Sequence, residues 1–148
     1  MGQDKLGNKK KIGILGGTFD PAHKGHIKIS KEAKKRYGLN NIIWTITDKN
    51  PFKLKSKQNL KDRIEYAKKI NSKNKFIKVK FYENIIKSNR TIDLIKYLKK
   101  KNKNTDIYFI MGAGNLINFH KWKKSNLIST NCNILVFDRE GYKAKSLK

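Results

Sequence analysis

Apolar positions along the chain alternate between short runs with a period of two and longer stretches with a helical period. Ile12 to Leu15 is a compact apolar run ending in Gly16-Gly17, the pattern of a buried strand followed by a turn. From Lys24 to Tyr37, Ile27, Ile29, Ala33 and Tyr37 suit an amphipathic helix that Gly38 ends. Ile42 to Thr47 is β-branched and aromatic and predicts a second strand, followed by a polar loop with Asn50-Pro51. Leu60, Ile64, Ala67 and Ile70 mark a second helix. Phe76 to Tyr82 alternates as a third strand. Thr91 to Lys101 is helical, with Ile92, Ile95 and Leu98 three residues apart, and Ile107 to Met111 is a fourth strand. Leu116, Phe119 and Trp122 lie at helical spacing. Ile134 to Phe137 is a fifth strand, Ile128-Ser129-Thr130 reads as a loop before it, and Gly141 to Lys148 reads as unstructured.

Strand and helix thus alternate at least four times, which predicts an α/β fold: a Rossmann-like, doubly wound parallel sheet of about five strands with flanking helices. Right-handed crossovers place the strand C-terminal ends along one edge, where ligands of such folds bind. The 148 residues suit one domain, expected over 11–142, with a flexible extension at 1–10 and a tail at 143–148. No apolar run approaches a membrane span, and Met1 to Lys11 lacks the apolar stretch of a secretory signal. A single cysteine, Cys132, excludes an internal disulfide framework and a Cys-based zinc site. A cytoplasmic protein is expected.

The net charge of +25 changes this picture less than its size suggests. Of 36 basic residues 32 are Lys, and Lys, Asn and Ile together make 67 of the 148 residues, while Val (two) and Ala (five) are scarce. The inflated residues share AT-rich codons, so genomic composition accounts for much of the charge. The other reading is a non-specific basic surface for nucleic acid. On either reading the field attracts anionic small molecules.

The candidate chemistry lies in Gly16-Gly17-Thr18-Phe19-Asp20-Pro21-Ala22-His23-Lys24-Gly25-His26, between the first strand and the first helix. It has no Gly-Lys-Ser/Thr ending and not the spacing of a dinucleotide fingerprint. Two glycines allow close backbone approach, and a helix beginning near Gly25 would offer free N–H groups and its positive dipole end to phosphate. His23 and His26, three apart, can face one ligand across the first turn, with Gly25 leaving room for it. Two such histidines suit phosphoryl or nucleotidyl transfer, which needs hydrogen-bond donors and positioning rather than a protein nucleophile. A metal site is the competing use of a His pair, but the remaining histidine is His120 and Cys132 is distant.

His-x-Gly-His after Gly-Gly-Thr-Phe-Asp-Pro resembles the hallmark of the nucleotidylyltransferase superfamily. From Lys11 to Tyr142 the chain resembles the bacterial nicotinate-nucleotide adenylyltransferases. The resemblance is carried further by Trp44, Asn50-Pro51-Phe52-Lys53, Thr91-Ile92-Asp93-Leu94-Ile95, Ile107 to Ala113, Leu116-Phe119-Trp122 and Val136 to Tyr142. It implies transfer of AMP from ATP to nicotinate mononucleotide, with Mg²⁺ bridging phosphate oxygens through water and substrate rather than a protein metal site. It implies that His23 and His26 are catalytic, and that with Gly16, Gly17, Thr18 and Phe19 they bind ATP. Trp44, Lys53, Thr91 and Trp122 would contact the mononucleotide. Read without the resemblance, Lys53 is one more surface lysine, Thr91 a helix N-cap, and Trp122 part of an apolar stripe. The sister activities are transfer to nicotinamide mononucleotide or phosphopantetheine, and CTP-dependent cytidylyl transfer. A nucleotide- or RNA-binding protein without catalysis is the alternative of another class.

Two departures stand against the pattern. Gly114 occupies a position where the family has Asp. Nothing after Arg139 resembles the superfamily's Ile-Ser-Ser-Thr-x-Ile-Arg-like segment, which opens a phosphate-holding helix. A C-terminally short domain with an uncovered sheet edge or face is therefore expected.

Overall fold

A computed structural model describes residues 9–48, 58–112, 128, 131–137 and 144–146. In chain order the elements are β1 (Lys10–Gly17), α1 (Lys24–Tyr37), β2 (Asn41–Ile46), α2 (Leu60–Ile70), β3 (Ile77–Lys80), α3 (Glu83–Ile86), α4 (Thr91–Lys101), β4 (Thr105–Gly112), β5 (Asn133–Phe137) and β6 (Ala144–Ser146). One sheet joins the strands in the order β3-β2-β1-β4-β5-β6. The first five run parallel, and β6 runs antiparallel to β5 with Val136 opposite Lys145. The expected parallel sheet of five strands is therefore present.

Period-two patterning divides the core between the two faces of the sheet. Leu15 of β1, Ile42, Trp44 and Ile46 of β2, Ile110 of β4, and Leu135 and Phe137 of β5 form one cluster with Ala33 of α1 and Ala67 of α2. Their sequence neighbours Ile12, Ile14, Phe109, Met111, Ile134 and Val136 form the other, beneath Ile92, Ile95 and Leu98 of α4. Helices on both faces make the sheet doubly wound. The strand order reverses between β1 and β4, so the switch point lies beside the C-terminal end of β1.

Helix ends follow local chemistry. Gly38 caps α1 at φ 65°, where its lack of a Cβ removes the penalty, and its N–H donates to the Lys34 carbonyl. Asn59 caps α2, its side chain accepting the Asp62 N–H at 2.8 Å, a cap of about 1 kcal/mol.

The structure corrects three expectations. β3 stops at Lys80 rather than Tyr82, because the Tyr82 carbonyl accepts the N–H groups of Ile85 and Ile86 and turns the chain into α3. Ile128, read as a loop residue, is helical and fully buried, its carbonyl accepting the Cys132 N–H. The tail read as unstructured contains β6. The outer edge of β5 is paired with that strand, which leaves β3 and β6 at the two edges of the sheet. No helix among the described residues is long and apolar enough to cross a membrane.

Candidate active site

β1 delivers its C-terminal end, Gly16-Gly17, to the sheet edge at the switch point, and α1 begins seven residues later. Gly16 is exposed and Gly17 half-buried, while Thr18 and Phe19 are buried. Gly17 is held to the next strand through its carbonyl, which accepts the Thr47 N–H at 2.9 Å.

Phe19 adopts φ 50°, the left-handed region that a bulky side chain avoids at a cost of about 1–3 kcal/mol. Its ring explains why the turn persists. It stacks on Trp44 at 4.8 Å and 16°, and lies 4.6 Å from the His26 ring. Aromatic pairs contribute about 0.5–1.5 kcal/mol each beyond burial. Burying a Phe side chain adds about 1.5–3 kcal/mol, enough to exceed the strain.

The two histidines cap their own helix. His23 is the N-cap, and its Nδ1 accepts the Gly25 N–H at 3.0 Å. The His23 N–H in turn donates to Nδ1 of His26 at 3.0 Å, so the pair forms a reciprocal capping box. A ring nitrogen that accepts carries no proton, so each neutral imidazole holds its proton on Nε2. The rings lie 4.0 Å apart, with His23 exposed and His26 half-buried. The site therefore presents two imidazole N–H donors at the positive end of α1.

This arrangement revises two expectations. The first-turn N–H groups of α1 are largely engaged: Gly25 with His23 Nδ1, and His26 and Ile27 with the His23 carbonyl. The space at Gly25 accommodates the His23 ring rather than a ligand, since a Cβ there would stand 2.8 Å from His23 Cε1.

Trp44, expected at the substrate, is 0% exposed. Its indole N–H donates to Ser30 Oγ at 2.8 Å, and the Ser30 hydroxyl donates to the His26 carbonyl at 2.8 Å. With Phe19 on one side and His26 5.7 Å away, Trp44 forms the floor under the histidines and offers substrate no surface. Thr91 is the first residue of α4. Arg90 is the N-cap, so the N-cap reading of Thr91 does not hold. The core side of α4 lies on the face opposite α1 and α2. Lys53, Gly114 and Trp122 lie outside the described residues. His23, His26, Phe19 and Trp44 are thus brought together, joined through the chain by Gly16, Gly17 and Thr18.

Sequence reasoning missed Arg63 and Glu83. Arg63, 1% exposed, donates to the carbonyls of Thr18, Thr47, Asp48 and Gln58 over 2.8–3.1 Å. Glu83 accepts from the Thr47 hydroxyl and from the Asp48 N–H. Arg63 sits on a helix rich in other charges and Glu83 opens a four-residue helix, and no local pattern distinguishes them from surface residues. Among the described residues no group of three or more His, Cys, Asp or Glu could hold a metal ion.

Residues 14–147 match the cytidylyltransferase-like family model. A protein of Pelagibacter ubique, described as a probable nicotinate-nucleotide adenylyltransferase, is 67% identical over 147 residues, covering 99% of this chain and 81% of its own length. The chain belongs to the nicotinate-nucleotide adenylyltransferase family. A probable member from Agrobacterium fabrum is 36% identical over 131 residues, 88% of this chain and 70% of its own. The fold of the family is seen in the Plasmodium falciparum nicotinic acid mononucleotide adenylyltransferase complexed with NaAD. It superposes with a TM-score of 0.77 at 21% identity, over 90% of this chain and 67% of that one. In the family's terms the histidine capping box is the His-x-Gly-His motif, standing at the switch point of the sheet.

Proposed function

We propose that the chain transfers AMP from ATP to nicotinate mononucleotide, giving nicotinate adenine dinucleotide and pyrophosphate. An oxygen of the mononucleotide phosphate forms a bond to the α-phosphorus of ATP. The bond from that phosphorus to the bridging oxygen breaks in line, and pyrophosphate leaves with the electron pair. The observation that carries this reading is the reciprocal His23–His26 cap, which fixes both Nδ1 atoms as acceptors and so places the proton of each neutral ring on Nε2. Donors held in place before the reaction stabilise phosphate oxygens as charge shifts toward the leaving group, with no reorganisation at the moment of transfer.

Gly16 and Gly17 admit the nucleotide at the strand end, and the positive end of α1 favours its phosphates. Lys53 contacts the mononucleotide phosphate, Thr91 helps to hold it, and Trp122 stacks on the pyridine ring. Mg²⁺ brought on the ATP phosphates would neutralise part of their charge. The +25 charge supports fast capture of both anionic substrates. A cytoplasmic location belongs to the same proposal.

Pyrophosphate release from purified protein with ATP and Mg²⁺ tests the reading. Nicotinate mononucleotide, nicotinamide mononucleotide and phosphopantetheine are supplied in separate reactions. Release with the first alone, slowed about 10²–10³-fold by His26→Ala, is the expected result; turnover with another acceptor instead, or release that His26→Ala leaves intact, overturns it.

A further inference from the structure

Arg63 lies on α2, outside the histidine motif, and its guanidinium is enclosed by protein. Burying such a cation is costly unless its donors are matched. Here Nη1 donates to Thr18 O at 2.9 Å and Thr47 O at 2.8 Å, Nη2 to Asp48 O at 3.0 Å, and Nε to Gln58 O at 3.1 Å. The carboxylate it meets, Asp48 Oδ1 at 3.4 Å, belongs to a side chain that is 61% exposed. The compensation is therefore mostly backbone carbonyl. One planar group joins the turn after β1, the end of β2 and the residue preceding the α2 cap, a task that suits a rigid fork rather than a point charge.

The bond to Thr18 has a consequence for the reaction centre. The Thr18 carbonyl lies in the peptide plane that Phe19 φ rotates against. Holding that plane holds Phe19 at φ 50°, and so holds the ring that stacks on Trp44 and packs against His26. The Gln58 N–H adds a second tie to the same turn, donating to Asp20 Oδ1 at 3.0 Å.

We propose that Arg63 is a positioning residue for adenylyl transfer, setting the orientation of the His26 imidazole, and through the capping box that of His23, by way of the Thr18–Phe19 turn. This rests on the function proposed above.

The test compares the full-length protein with Arg63→Lys and Arg63→Met, each assayed well below its own melting temperature. Both variants are expected to lose between about tenfold and a hundredfold in kcat, the scale of a small misplacement of catalytic groups, with each KM within about threefold. The long-range ¹⁵N–¹H spectrum of the histidine rings is expected to lose the paired Nδ1-acceptor, Nε2–H signature. In a His26→Ala background the Arg63→Lys loss is expected to shrink to about twofold or less, because coupled residues are not additive. A lowered Tm with kcat within about twofold and an unchanged imidazole spectrum overturns the proposal, as does an equal loss in the His26→Ala background. If neither Arg63 variant folds, Phe19→Leu breaks the same link while leaving the guanidinium bonds, and an unaltered imidazole spectrum then overturns it. Should the parent protein show no turnover with nicotinate mononucleotide, the proposed function fails, while the imidazole spectra still decide the role of Arg63.

Discussion

The backbone of Gly25 lies against the imidazole of His23: a Cβ on Gly25 would stand 2.8 Å from Cε1, closer than real Cβ contacts come, and 3.0 Å from Nδ1. Its N–H is the donor that fixes that ring. The glycine of the motif is therefore required by its neighbour's side chain.

Gly25→Ala is expected to displace the His23 ring and break its bond to the helix. Losing one preorganised donor costs about 10²–10³ in kcat. The helix itself gains from Ala, by up to about 1 kcal/mol, so the fold should survive. Steady-state kinetics beside a thermal melt check both halves. A retained kcat would show that His23 can act from another position.

Trp44→Phe removes the indole N–H that Ser30 Oγ accepts within the core. The expected cost is about 1–3 kcal/mol in denaturant unfolding. KM for nicotinate mononucleotide should not change, because the indole is fully buried beneath the histidines. A raised KM at unchanged stability would return Trp44 to the substrate pocket.

Glu83→Gln weakens the carboxylate that accepts from the Thr47 hydroxyl and the Asp48 N–H. Hydrogen bonds to a charged acceptor contribute about 1.5–3 kcal/mol, and an amide retains part of that, so a loss of roughly 1 kcal/mol is expected. Urea unfolding measures it.

Alkaline pH should destabilise the fold through two tyrosines. Burial, and then the neighbouring Tyr97, raise the Tyr82 hydroxyl above its usual 10.0. Burial, then Asp106 and Tyr37, do the same for Tyr108. A raised folded-state value means that the folded chain holds its proton longer than the unfolded one. That stability is complete below pH 10.0 and is lost as pH rises through the folded-state values. Unfolding midpoints at pH 9 and pH 11, measured for the parent and a Tyr82→Phe/Tyr108→Phe variant, isolate the contribution; the variant should lose less on going from about 9 to 11.

Salt should raise KM for ATP. With a net charge of +25, long-range attraction assists capture of a polyanion, and ions screen it over about 10 Å at 0.1 M. Rates at low and high salt check this. kcat should respond less, because the imidazole contacts are short.

The sequence by itself determined the alternation of strands and helices, the two-sided core and the place of the phosphate motif. Each is a local matter: a period of two in Ile12 to Leu15, a helical period from Ile27 to Tyr37, glycines and histidines adjacent in the chain. The tertiary structure decided what those residues face. The family resemblance implied a substrate contact for Trp44, yet strand register turns it toward Phe19 and Ser30. Arg63 reads like one more cation in a chain with 36 of them, yet folding brings it to carbonyls up to 45 residues away. β6 lacks an apolar pattern of its own and forms because β5 offers it an unpaired edge. Hydrogen bonds to a distant backbone leave no periodic trace in the sequence. The residues that hold the site in shape therefore emerged only when the chain was folded.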